Sequence, residues 1–222
     1  MRTSLAFAIL LQTISASAQP PSARWQLLDP GTYHGDEAPS APGTGWLALT
    51  VVGGVWRLEP TVVRATRVHD PVLDEEDQKT GLKISSNYSN SLALLRLPGL
   101  KAGKVDTPNM KFNGTPRTIS TRDRPLRISF KGDNYAITAI NSEIYLQSGE
   151  QRTLLPNLTA GDSKSEDSTS LLWAGDLDGD GKLDLLFAYS GYNNGGICLY
   201  MSVGARNAAL VKQVACHGGV GC

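Results

Sequence analysis

Beyond its first eighteen residues, this chain has no stretch of ten or more residues that repeats apolar side chains at helical spacing. Its apolar residues fall into short runs rich in β-branched and aromatic side chains, cut by turn-forming residues. That pattern predicts an all-β fold, an antiparallel sandwich or partly open barrel. The runs "WLALTVV" (46–52) and "VWRLEPTVVRATRV" (55–68) flank Gly53-Gly54. A Gly-Gly pair supplies the positive φ angles of a two-residue hairpin turn. Pro60 lacks an N–H and marks an edge or a break. "HDPVLDEEDQKTG" (69–81) is a polar, acidic loop, followed by "LKIS" and "LALLRLPGL". Lys101 to Pro125 reads as irregular connection. "LRISF", "YAITAI", "IYLQS" and "QRTLL", with "KGDN", "NSE" and "GE" between them, predict an antiparallel meander.

The first eighteen residues have the three parts of a secretory signal peptide: Arg2, an apolar run from Leu5 to Leu11, and Ala16-Ser17-Ala18 before Gln19. The expected location is therefore periplasmic or extracellular. That apolar run is far short of the roughly 20 residues that span a bilayer. The other candidate span, "WLALTVVGGVW" (46–56), is interrupted by two glycines, so no membrane span is expected. Residues 19–45, rich in Pro, Ala, Gly, Ser and Asp, read as an extended lead-in whose Trp25 and Tyr33 can dock on the domain. Residues 46–222 read as a single β-rich domain. The 21 basic and 21 acidic side chains balance, which leaves no electrostatic footprint for nucleic acid or an anionic membrane. Cys198, Cys216 and Cys222 allow one disulfide, either Cys216–Cys222 across "HGGVG" or Cys198–Cys216 between neighbouring strands.

Near the end of the chain, "DLDGDGKLDLL" (176–186) sets four carboxylates and two glycines between the apolar stretches "LLWAG" and "LDLLFAY". Asp176, Asp178, Asp180 and Asp184 occupy positions 1, 3, 5 and 9 of a loop, where alternate residues of a curled backbone converge. Four converging carboxylates repel one another unless a hard cation joins them, and Ca²⁺ accepts 6–8 oxygens in flexible geometry. Gly179 and Gly181 allow the backbone to wrap an ion, and at position 7 the carbonyl of Lys182 is a further expected ligand. Mg²⁺ demands tighter geometry and keeps its waters. Transition metals prefer His or Cys, which the loop lacks. An EF-hand needs Glu at position 12, where this chain has Phe187, and an exiting helix that "LDLLFAYSGYNNGG" does not support.

"WAGDLDGDGKLDLLFA" (173–188) resembles the calcium-binding segment of FG-GAP/VCBS-type repeats, found in integrin-like β-propellers and secreted bacterial proteins. The resemblance implies a strand–loop–strand unit whose Asp176, Asp178, Asp180, Lys182 carbonyl and Asp184 hold Ca²⁺. Propellers repeat such a unit four to eight times. The motif occurs once here, which points to one calcium hairpin inside another β-domain.

Other chemistry-bearing residues are sparse. His34, His69 and His217 fall in expected loops and form no paired motif. No nucleophile elbow or phosphate loop appears. Asp70, Asp74, Glu75, Glu76 and Asp77 read as a solvated loop. Tyr189, Tyr192, Asn193 and Asn194 are the place where a carbohydrate partner would be sought. Asn87, Asn113 and Asn157 are glycosylation acceptors in a eukaryotic host. The expected function is an exported, non-enzymatic β-domain stabilised by one Ca²⁺ ion, a binding or interaction module for a protein or carbohydrate partner. The alternative is a secreted or periplasmic hydrolase using carboxylates near the calcium loop.

Overall fold

A computed structural model of the 222-residue chain describes residues 26–110, 114–161, 167–205 and 208–220. Residues 1–18, where a signal peptide is expected, and Trp25, Asn113 and Cys222 lie outside the described residues. The described chain is all-β: strands joined by turns and loops, with no helix among them. Accordingly, none of the described residues forms a helix long and apolar enough to cross a membrane.

The first seven strands are β1 (Leu27–Leu28), β2 (Gly31–Tyr33), β3 (Gly43–Val52), β4 (Val55–Val68), β5 (Gly81–Ser85), β6 (Ala93–Leu95) and β7 (Gly103–Lys104). They form one sheet in the order β1-β6-β3-β4-β5-β2, with β7 also paired to β4. Strands β1 and β2 therefore lie at opposite ends of the order, yet only Asp29 and Pro30 separate them. The step from Leu28 to Gly31 spans at most about 11 Å. The sheet must curl until its two ends nearly meet, which makes it a partly open barrel. Leu28, Trp46, Ala48, Val63, Ile84 and Leu94 fill the inside of the curl.

Residues 26–45 are thus more than a lead-in, because they supply β1, β2 and the start of β3. Leu27 and Leu28 point to opposite faces, as neighbours in a strand must, and both are buried, each in a different core. The β3–β4 turn follows the sequence closely: Val52 pairs with Val55, and Gly53 and Gly54 have φ of 59° and 77°. Pro60 does not end β4. Residues 57–58 pair with β7 and 64–68 with β5, so Pro60 sits in the gap between those partners, where a missing N–H costs that side no bond.

Strand β8 (Arg117–Ile119) joins a later sheet. Strands β9 (Leu126–Phe130), β10 (Asp133–Ile140), β11 (Glu143–Ser148) and β12 (Gln151–Thr159) form a four-stranded antiparallel meander. Strand β12 outlasts the expected "QRTLL" because a bulge absorbs Pro156 and Asn157, the latter at φ 64°.

The last four strands are β13 (Ser168–Gly175), β14 (Asp184–Ser190), β15 (Asn194–Met201) and β16 (Lys212–Val220). With β8 they form a sheet ordered β16-β15-β14-β13-β8. This sheet lies between the other two. One face packs Leu171, Leu185, Phe187 and Tyr200 against Ile128, Ile137, Leu146 and Leu155 of the meander. The other packs Trp173, Leu186, Leu199 and Met201 against Leu27, Leu49, Leu58 and Leu95 of the curled sheet. A strand covered on both faces has no polar side, which explains the unbroken run "LLFA". Cys198 pairs with Cys216 across β15 and β16, with Cα atoms 4.1 Å apart, and the two form the disulfide. Strand register thus selects one of the two pairings the sequence left open.

Candidate metal centre

The loop between β13 and β14 carries the acidic motif, and close packing fixes both of its ends. A bulge between Leu171 and Trp173 turns Leu172 and Trp173 toward the same core. The Trp173 ring then folds back over Gly175. A Cβ at Gly175 would lie 2.4 Å from that ring and 2.6 Å from the Asp106 carbonyl, so only glycine fits. The next residue, Asp176, is bridged to Asp106, whose carbonyl accepts the Asp176 N–H at 2.9 Å. At the far end, Asp184 begins β14 opposite Gly175.

Within the loop the chain wraps around its own carboxylates. Asp176 accepts the N–H of Gly179 on Oδ1 at 2.7 Å and that of Gly181 on Oδ2 at 2.9 Å. Gly179 and Gly181 have φ of 80° and 85°, the left-handed conformation this wrapping requires. Asp184 is fully buried. Its Oδ2 accepts Leu177 N–H at 2.8 Å and its Oδ1 accepts Ser202 N–H at 2.9 Å. Asp178 is half-buried; its Oδ1 accepts the Asp180 N–H at 3.2 Å, and its carboxylate also meets its own backbone N–H.

Carboxylate oxygens of Asp176, Asp178 and Asp184 all lie within 4.8 Å of one another. Asp180 stands apart from this triad. Its Oδ2 accepts the Ser202 hydroxyl at 2.8 Å and its Oδ1 accepts the Lys182 N–H at 2.8 Å. The Lys182 side chain is exposed, as its expected role as a carbonyl ligand requires.

Three residues outside the motif complete the site. Lys131 sits in the β9–β10 turn at φ 48°. Its Nζ donates to Asp176 Oδ2 at 2.8 Å and lies 3.1 Å from Asp106 Oδ2. Asp106 also lies 3.6 Å from Lys104 Nζ. Ser202, at the end of β15, ties Asp184 to Asp180. These three residues are far from the loop in sequence and belong to no local motif, so no short-range signal marks them.

The electrostatics follow from the crowding. Burial pushes the Asp184 carboxyl up to about 7, and the Asp178 and Asp180 carboxylates add to the rise. Burial also raises Asp178, with help from Asp180 and Asp176. Lys131 moves up because it donates to Asp176, and Asp106 moves down because Lys131 donates to it. The triad therefore holds more negative charge than its surroundings accommodate without a proton or a cation. Each carboxylate oxygen can accept twice, so an oxygen bonded to one N–H keeps a lone pair for a metal. The donors are all hard oxygens, which suits Ca²⁺ or Mg²⁺ over a transition metal.

Comparison with protein-family models, with curated proteins and with solved structures finds no match. The chemistry of this chain must be argued from its own residues.

The other residues singled out by sequence lie elsewhere. Asp70 and Asp74 are internal braces for their loop. Asp70 Oδ1 accepts the N–H groups of Val72 and Leu73, and Asp74 Oδ2 accepts those of Asp70 and Thr80. Asp70 also bonds the His34 ring, which raises His34 and lowers Asp70. His217 is not in a loop: it is buried in β16. Tyr192 is largely exposed, and Tyr189 packs on the core beside the meander.

Proposed function

We propose that this chain is an exported, non-enzymatic β-protein in which Asp176, Asp178 and Asp184 hold one Ca²⁺ ion that stabilises the fold, in the manner of FG-GAP/VCBS-type loops. The observation that carries the reading is the convergence of three carboxylates within 4.8 Å in a loop prewrapped by its own amides. Asp180 and the Lys182 carbonyl are the remaining ligands of that type of loop. Calcium fits better than magnesium because it accepts many protein oxygens in irregular geometry, whereas magnesium demands a near-octahedral shell and keeps its waters. Export is supported by the secretory pattern of residues 1–18 and by the Cys198–Cys216 disulfide, a bond that persists in oxidising compartments.

An ion bound only by the folded form adds RT ln(1 + [L]/Kd), about 2.7 kcal/mol when free calcium is 100-fold above Kd. Purified mature protein should therefore melt at a lower temperature in excess EGTA than in calcium. An unchanged melting temperature would remove the basis for the proposal. The hydrolase alternative gains no specific support: the Asp184 and Asp70 carboxylates are buried and bonded to backbone amides.

A further inference from the structure

The chain is electrically balanced overall, but its arginines are not evenly satisfied. Arg57 pairs with Glu59, Arg64 donates to Asn87 at 2.7 Å, and Arg67 donates to the Thr80 carbonyl at 2.6 Å. Arg96 lies over Trp46 and Arg152 over Tyr145. Among the described residues, the arginines whose guanidinium groups make no ion pair, hydrogen bond or ring contact are Arg117, Arg122, Arg124 and Arg127. All four fall in one stretch, "RTISTRDRPLR" (117–127).

The fold gathers three of them around one cavity. Arg117 lies on β8 at the edge of the middle sheet, and Arg127 lies on β9 at the edge of the meander. Arg124 lies in the connection between them. Ser120 stiffens that connection: its Oγ accepts the Arg122 N–H at 3.2 Å and its carbonyl accepts the Asp123 N–H at 3.1 Å. The cavity between the two sheets has a volume of about 580 Å³. Arg117, Arg124 and Arg127 are among the residues that line it and Asp123 is its one carboxylate, an excess of two positive charges in the lining. Thr118, Ser120 and Thr138 add neutral polar lining, and Ile137 and Ile140 add apolar lining.

We infer that this cavity binds a small organic molecule carrying two oxyanion groups, as carboxylates or sulfate esters. A guanidinium fork matches the paired oxygens of such groups and binds them through charge-assisted hydrogen bonds. An excess of two positive charges calls for two negative ones. A cavity of this size falls within the range of small-molecule sites and holds a ligand of roughly disaccharide size. The mixed apolar and neutral polar lining suits a ligand with a carbon skeleton better than a bare inorganic ion. The site is separate from the acidic loop and stands or falls independently of the calcium proposal.

The test is calorimetric titration of the mature protein, with calcium present throughout so that the acidic loop stays in one state. The probes are glutarate and a disulfated disaccharide, compared with inorganic sulfate and a short single-stranded DNA. One organic dianion should bind with unit stoichiometry, more weakly as salt rises. Arg117→Gln and Arg124→Gln should each weaken it by about tenfold or more, as loss of a charged hydrogen bond does. Arg152→Gln should leave it unchanged. Asp123→Asn should tighten it, a gain that unfolding cannot mimic. The dicarboxylate and sulfate-ester arms distinguish which oxyanion is preferred. The inference is overturned if neither organic probe binds, if inorganic sulfate binds as well as they do, if DNA outcompetes them, or if the arginine variants bind like the parent.

Discussion

At the scale of single residues, the acidic loop assigns different work to carboxylates that look equivalent in the motif. Asp184 accepts two backbone amides from separate segments, Leu177 and Ser202, and is buried. Removing it strands both donors whether or not a metal is bound. Asp184→Ala should cost about 2–4 kcal/mol of stability even in EGTA, read by chemical denaturation. Asp178 is more exposed, and the backbone N–H groups it meets, of Asp180 and of Asp178 itself, belong to its own turn. Asp178→Ala should stay within about 0.5 kcal/mol of the parent in EGTA and lose the stabilisation that calcium gives the parent. Equal losses in EGTA would show that the two carboxylates share one structural role. This division of labour was invisible in D-x-D-G-D-G-x-x-D, because spacing shows where oxygens converge and not which backbone groups reach them. Asp180 shows the same limit. Its position in the motif matches that of a ligand, yet a serine 22 residues away takes one of its oxygens.

At the scale of elements, the β9–β10 turn brings an ammonium to the acidic loop from a neighbouring sheet. Lys131 on Asp176 competes with any cation for the same carboxylate. Lys131→Met should therefore bind calcium more tightly in a titration and be less stable than the parent in EGTA. Calcium affinity equal to or weaker than the parent's would refute the competition.

Strand β16 carries a second element-scale consequence. His217 accepts the Asp29 N–H on Nδ1 at 3.0 Å, so its proton resides on Nε2, which faces the Glu37 carbonyl at 3.2 Å. Tyr33 packs edge-on against the ring. Burial lowers His217 below its ordinary 6.5. A folded value below the unfolded one means that its contribution is fully present above pH 6.5 and fades as pH falls through that value. Burial raises neighbouring Asp29 to about 6, which acts in the opposite sense: its penalty is relieved as pH falls from about 6 toward 3.8. An NMR titration should find His217 as the neutral Nε2–H tautomer at pH 6.5, and a charged ring there would contradict the assignment. The sequence placed His217 in a loop because its neighbours, two glycines and a cysteine, carry a turn composition. Those glycines instead serve close strand packing: a Cβ at Gly218 would lie 2.2 Å from the Gly195 carbonyl. By contrast, the Gly53-Gly54 hairpin and the four-stranded meander were legible, since both rest on interactions within a few residues.

At the scale of the whole molecule, the all-β class could be read from the pattern of apolar runs, but the order of the layers could not. Strands β14 and β15 are apolar on both faces, a pattern that marks a covered strand without saying what covers it. Only the tertiary structure shows one sheet shared by two cores. That sharing has a consequence in time. Apart from β8, the shared sheet comes from residues 168–220, which are synthesised after both of the other sheets. Until it arrives, the curled sheet and the meander each have an apolar face with nothing to cover it. A chain ending at residue 167 should melt without a cooperative transition and bind a hydrophobic dye, and a sharp melt would show that the earlier sheets stand alone. Contacts that join the curled sheet to the meander through the middle layer wait on strands β13 to β16. The layers are therefore joined late: the central one, through which both cores meet, is made after the two it connects.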